Sequence, residues 1–178
     1  MTPFERVVLP HLDAAYTLAR YLIRDPPDAE DAVQEAVLRA VRYFHTLRSE
    51  SDARAWLLAI VRRECYSAWH ERDDRRNTIS IDGSIAGENI PLELIDSENS
   101  PAEAAERSLL RQQVADAVDR LPRHLKEVVV LRELQQCSYD EIAGIIDAPV
   151  GTVMSRLSRA RARLADSLRE HVDIGELS

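Results

Sequence analysis

The sequence predicts an all-α protein: two small helical domains joined by an acidic linker, the second containing a helix-turn-helix. Three observations lead there. Apolar residues recur at spacings of three and four along most of the 178 residues, which is the period of one helix face. Proline clusters and capping residues cut this pattern into short helices. Residues 77–100 have neither the period nor a basic side chain, and they separate a domain at 1–76 from one at 101–178. The composition agrees, since 45% hydrophobic residues can build cores while only 5 glycines and 5% aromatics lean towards helices.

Taken in order, residues 4–23 predict a first helix whose stripe is Phe4, Val8, Leu12, Ala15, Ala19 and Leu22. Asp25, Pro26 and Pro27 end it. Asp28 is placed to cap the second helix, with Glu30 and Asp31 favourable at the positive end of its dipole. Val33, Val37, Val41 and Phe44 predict its buried side, and Asp31, Gln34, Glu35 and Arg42 its outer side. Residues 46–52 form a polar loop in which Ser51 or Asp52 can cap a third helix over 53–72. That helix buries Trp56, Leu57, Ile60 and Val61. It interleaves Trp56, Tyr66 and Trp69 with Arg54, Arg62, Arg63 and Arg72, a pattern suited to unpaired bases that stack on aromatics while arginine meets phosphate. Plain packing explains Trp56 as well, and Trp69 is open to either use.

In the linker, Ile79, Ile81, Ile85, Ile90, Leu92, Leu94 and Ile95 supply docking groups without a helical period. Ser100, Pro101 and Glu103 then open a helix with a cap, a first-turn proline and a closing glutamate. Leu110, Val114, Ala117, Val118 and Leu121 mark its stripe. Pro122 separates a helix over 123–134. Its Val128 to Leu131 run could pass for a strand, but its neighbours are helical and no partner strand exists.

Residues 138–164 carry the most specific signal. Ser138 and Glu141 make a capping box, followed by Ile142, Ala143, Ile145 and Ile146 on an apolar face. Asp147 to Gly151 break the helix, with Pro149 disfavouring helix at Ala148 and Gly151 expected to let two helices approach closely. In the second helix Val153, Leu157, Ala160, Leu164 and Leu168 share the inward face. Gly151, Ser155, Ser158, Arg159 and Ala162 face away, and Arg156, Arg161 and Arg163 lie on the flanks. Small side chains edged by arginine, with no acid between 151 and 164, suit a DNA major groove.

The net charge of −8 conceals this helix rather than contradicting it. Residues 1–76 hold 12 basic and 13 acidic side chains, 77–105 hold none and 6, and 106–178 hold 11 and 12. The excess therefore sits around the linker, and local charge governs groove binding. Cys65 and Cys137 stand apart without a metal-ligand spacing, which fits a reducing, cytoplasmic setting. The N-terminus lacks a signal-like apolar run, and no stretch suits a membrane span. Neither a catalytic constellation nor a cofactor or metal motif is evident, so no enzyme, cofactor or small-molecule substrate is expected.

The blocks DAEDAVQEAV, ARAWLLAIVRRECYSAW, RLPRHLKEVVVLRE, SYDEIAG and PVGTVMSRLSRARARL, in this order, resemble the extracytoplasmic-function (group IV) sigma factors of the sigma-70 family. The resemblance implies a transcription initiation factor, typical of stress responses, that directs core RNA polymerase to promoters under an anti-sigma factor. It makes residues 1–76 the region 2 domain and 101–178 the region 4 domain. Asp28, Asp31, Gln34 and Glu35 would meet the β′ coiled coil, and the C-terminal domain the β flap. Arg48, Ser49, Asp52, Arg54, Arg62, Arg63 and Trp69 would capture the −10 strand. Thr152, Met154, Ser155, Arg156, Ser158, Arg159 and Arg163 would read the −35 duplex. The acidic linker would thread the polymerase channels. Glu64, where asparagine is common, and Met154, where a basic residue is frequent, depart from the pattern. Two other readings fit the residues alone: a stand-alone helix-turn-helix regulator of duplex DNA, and a helical adaptor that binds only protein.

Overall fold

A computed structural model describes residues 1–78 and 101–175, and all regular structure in them is helical. The expectations for the linker side chains and for the Ser100 cap lie outside the described residues. The N-terminal helices are α1 (Pro3–Val8), α2 (Leu12–Leu22), α3 (Pro26–Tyr43) and α4 (Ala53–Thr78). The C-terminal helices are α5 (Pro101–Asp119), α6 (Arg123–Val129), α7 (Tyr139–Ile146) and α8 (Val150–Gly175).

The expected first helix is broken. Pro10 has no N–H to continue the ladder, and residues 9–11 tighten into a 3-10 turn between α1 and α2. Leu18 and Tyr21, absent from the expected stripe, are buried, whereas Phe4 and Leu12 are only half-buried. Helix α3 begins earlier than its sequence suggests. Asp25 is the N-cap, accepting from the Asp28 N–H at 3.3 Å, because Pro26 and Pro27 fit a first turn that needs no N–H. Its buried stripe is Ala29, Ala32, Ala36 and Ala40, not the valines. Val33, Val37 and Phe44 flank that seam, and Val41 is exposed. Four alanines let α3 lie close to α2 and α4, which together form the N-terminal bundle.

Helix α5 buries Val118, and Leu121 just beyond its end is buried too, but Leu110 is exposed. After α6 the chain widens into a π-turn at residues 130–134, closed by Gln135 N–H to the Val130 carbonyl at 3.0 Å, and Gln136 adopts left-handed backbone with φ 52°. The valine run is thus helical, as expected.

The helix-turn-helix begins with both halves of the capping box: Ser138 N–H to Glu141 Oε2 at 2.7 Å, and Glu141 N–H to Ser138 Oγ at 3.1 Å. The turn is made by Asp147, in left-handed backbone at φ 53°, with the Ala148 N–H closing onto the Ala143 carbonyl at 3.0 Å. Gly151 has a different role from the one expected. It lies inside the first turn of α8, and a Cβ there would meet no atom within 4 Å, so close helix approach does not depend on it.

The core is continuous through both sets of helices. Leu18, Leu57, Leu58 and Val61 on one side join Leu125, Val128, Leu131, Ile142 and Leu157 on the other. Helix α4 is the shared wall, packed against α2 and α3 and also against α7, while α2 touches α6. Cys65 and Cys137 are buried in this core, and burial pushes the Cys65 thiol up to about 12.

Candidate nucleic-acid interface

Helix α8 is divided by its own period. Val153, Leu157 and Ala160 are buried against α6 and α7, with Leu164 and Leu168 half-buried beyond them. Met154, Ser158, Arg159 and Arg163 are exposed on the other side, Met154 at 54%. Gly151 and Ala162 are exposed as well, so close approach to this face meets little bulk. Thr152 and Ser155 are half-buried, and the Ser155 hydroxyl donates to the Thr152 carbonyl at 3.1 Å. Arg161 pairs with Glu133 at 2.8 Å. Arg156 turns inward, its Nη1 donating to Glu127 Oε1 at 3.1 Å.

The N-terminal candidates form two groups. Arg48, Ser49 and Asp52 are exposed on the connection between α3 and α4, where Ser49 accepts from the Ser51 N–H and Ser51 Oγ donates to Asp52. Arg63 is exposed on α4. Arg54, Arg62 and Trp69 sit on the side of α4 that faces the C-terminal helices. Arg54 donates to Gln135 Oε1 at 2.7 Å. Arg62 donates to Glu127 through Nε at 2.7 Å and Nη2 at 3.2 Å. The Trp69 ring, 43% exposed, lies beneath the Arg123 guanidinium at 4.0 Å, a cation–π contact.

Glu127 holds this side together and was not singled out by its sequence. Its carboxylate is fully buried and takes four donors: two from Arg62, one from Arg156 and the Tyr66 hydroxyl at 3.0 Å. Burial, then the Glu127 charge, raises the Tyr66 phenol to about 12, so it stays a donor. Burial opposes the Arg62 charge, but the hydrogen bond and the charge of Glu127, helped by Tyr66, together outweigh it and leave the guanidinium more basic than usual. A glutamate directly before the apolar run Val128 to Leu131 is the one sequence sign that could have flagged it.

On the far side of α4 lies a groove of about 300 Å³ against α3, lined by Asp28, Asp31, Glu35, Glu64, Glu71 and Arg72. Asp31, Gln34 and Glu35 are exposed, and Asp28 is half-buried and paired with Arg72. Glu64, the departure noted above, is 8% exposed and binds Arg39 of α3 at 2.9 Å. It therefore ties α3 to α4. Among the described residues no cluster could hold a metal ion, and no helix is long and apolar enough to cross a membrane.

The bundle with its helix-turn-helix defines a class, the two-region sigma-70 proteins. The chain matches Sigma-70 region 2 over residues 7–75 and Sigma-70, region 4 over residues 111–164. The ECF RNA polymerase sigma-E factor of Haemophilus influenzae is 32% identical over 155 residues, covering 85% of this chain and 79% of the relative. The sigma-E factor of Escherichia coli K12 is 33% identical over 143 residues, covering 80% and 74%. The sigma factor RpoE of Bartonella quintana, solved with the anti-sigma factor NepR, superposes with a TM-score of 0.73 at 27% identity, covering 95% of this chain and 98% of that one. CnrH, solved with the cytosolic domain of CnrY, shares the fold with a TM-score of 0.63. The chain belongs to the extracytoplasmic-function sigma factors of the sigma-70 family. The reading as a stand-alone helix-turn-helix regulator gives way to that of an alternative sigma factor, because both sigma regions occur in one chain.

Proposed function

We propose that this protein binds core RNA polymerase, directs it to promoters with separate −10 and −35 contacts, and is held in check by an anti-sigma factor. In this reading residues 1–76 and 101–178 are the two reading units. The observation that carries it is the two-sided α8: Val153, Leu157 and Ala160 buried, Ser158 and Arg159 open to solvent. Arginine beside small polar side chains can reach base edges while neighbouring arginines meet phosphate. Thr152, Met154, Ser155, Ser158 and Arg159 are assigned to the −35 duplex, with Arg163 at its backbone and Arg156 reaching it only on leaving Glu127. Arg48, Ser49, Asp52, Arg54, Arg62, Arg63 and Trp69 are assigned to the −10 strand, where a freed base needs a polar loop and a stacking partner. Asp28, Asp31, Gln34 and Glu35 offer an acidic face to a basic helical partner, the β′ coiled coil. The anti-sigma expectation is supported by RpoE of Bartonella quintana, solved with the anti-sigma factor NepR.

The test is transcription with purified core polymerase. The protein is expected to start RNA at its own promoter, and Arg159→Ala, at an exposed residue of α8, to abolish −35-dependent starts. Duplex binding by the free protein with no polymerase-dependent initiation would overturn the proposal.

A further inference from the structure

Three contacts join the strand-facing side of α4 to the C-terminal helices: Arg54 with Gln135, Arg62 and Tyr66 with Glu127, and Trp69 under Arg123. Arg24 of the N-terminal bundle adds a hydrogen bond to the Asp119 carbonyl at 3.0 Å. The same arrangement leaves Ser158 and Arg159 on α8 exposed. The two reading faces are thus unequal: Ser158 and Arg159 are open, whereas on α4 Arg54 and Arg62 are half-buried and engaged by the C-terminal helices, with Arg48, Ser49, Asp52 and Arg63 left exposed beside them.

We propose that Glu127 is an intramolecular latch that holds the free protein closed, with Arg54 and Arg62 engaged by its own C-terminal helices and one face of Trp69 occupied by Arg123. The masking of a −10 face rests on the function proposed above; the closure does not. Glu127 suits this role for a physical reason. Its carboxylate is fully buried, so solvent and salt screen it little, and it satisfies guanidinium groups from both halves at once. Opening exposes that carboxylate to water, where the three bonds from Arg62 and Tyr66 are readily replaced. A nucleic-acid phosphate or an acidic partner surface that captures Arg62 competes directly with Glu127 for the same donors. Opening therefore has to accompany capture of a strand by Arg62, while Ser158 and Arg159 of α8 already face solvent in the closed form.

The test uses the full chain. Small-angle scattering of the wild type is expected to give the radius of a closed 178-residue protein, roughly 16 Å. Glu127→Gln removes the charge but keeps the shape. It is expected to enlarge the radius and to tighten binding of a short fluorescent single-stranded oligothymidylate by about tenfold, given what an unpaired buried guanidinium costs. Tyr66→Phe keeps the ring and removes one donor, so it folds even if Glu127→Gln does not. It is expected to shift both readouts the same way, by less. A wild-type radius well above the compact value overturns the latch, and so does a helical Glu127→Gln with unchanged radius and oligonucleotide binding. If Glu127→Gln is not helical, Tyr66→Phe with both readouts unchanged overturns it equally. Loss of the functional reading would show separately, as wild-type protein unable to start transcription with core polymerase.

Discussion

Replacing Leu157 and Arg159 one at a time separates the two faces of α8. Leu157 is 1% exposed, packed with the buried isoleucines of α7. Truncation to alanine removes three carbons, about 2.4 kcal/mol at about 0.8 per buried carbon. The residual cavity raises the loss towards about 4 kcal/mol, because helices meeting on both sides limit collapse. Arg159 is exposed, so Arg159→Ala is expected to change stability by no more than about 0.5 kcal/mol. Its effect belongs to promoter recognition, where a lost base contact is worth about 1–3 kcal/mol. Urea unfolding followed by far-ultraviolet circular dichroism measures the first quantity. Transcription with core polymerase from a −35-dependent promoter measures the second. The reasoning is refuted if Arg159→Ala unfolds the protein as readily as Leu157→Ala, or if it leaves −35-dependent initiation unchanged.

Ser138→Ala removes one side of the capping box while leaving the core alone, and should lower stability by about 1 kcal/mol in the same urea assay. Burial, and then the Arg54 charge, lower the His11 pKa below its ordinary 6.5. Above 6.5 the imidazole is neutral in both states. As pH falls below that value the unfolded chain takes up the proton first, so stability declines across the window down to the folded pKa. The urea midpoint should therefore fall between pH 7 and pH 5 by more in the wild type than in His11→Gln.

The helical class and the reading helix were legible because each rests on local rules. A capping box and a three-four period are written in neighbouring residues, as at Ser138, Glu141, Val153 and Leu157. The alanine seam of α3 was not legible, since valine outranks alanine in any hydrophobic count. Only the close approach of α2 and α4 decides that the smaller side chain goes inside and Val41 outside. The cap at Asp25 was hidden for a related reason: two prolines read as a stop, yet they also begin a helix well. What Glu127 binds was beyond sequence reasoning. Its partners Arg62 and Arg156 lie 65 and 29 residues away, and nothing local pairs them.

The alanine seam has a consequence for how the surface is kept in register. Where two backbones are parted only by methyl groups, no longer side chain can change its rotamer to absorb a displacement. The carboxylates on the outer face of α3 are therefore carried at a nearly fixed offset from α4. Substitutions on the outside of α3 can alter which surface it meets. A bulkier residue at Ala32 or Ala36 would instead move the whole acidic face relative to the arginines of α4.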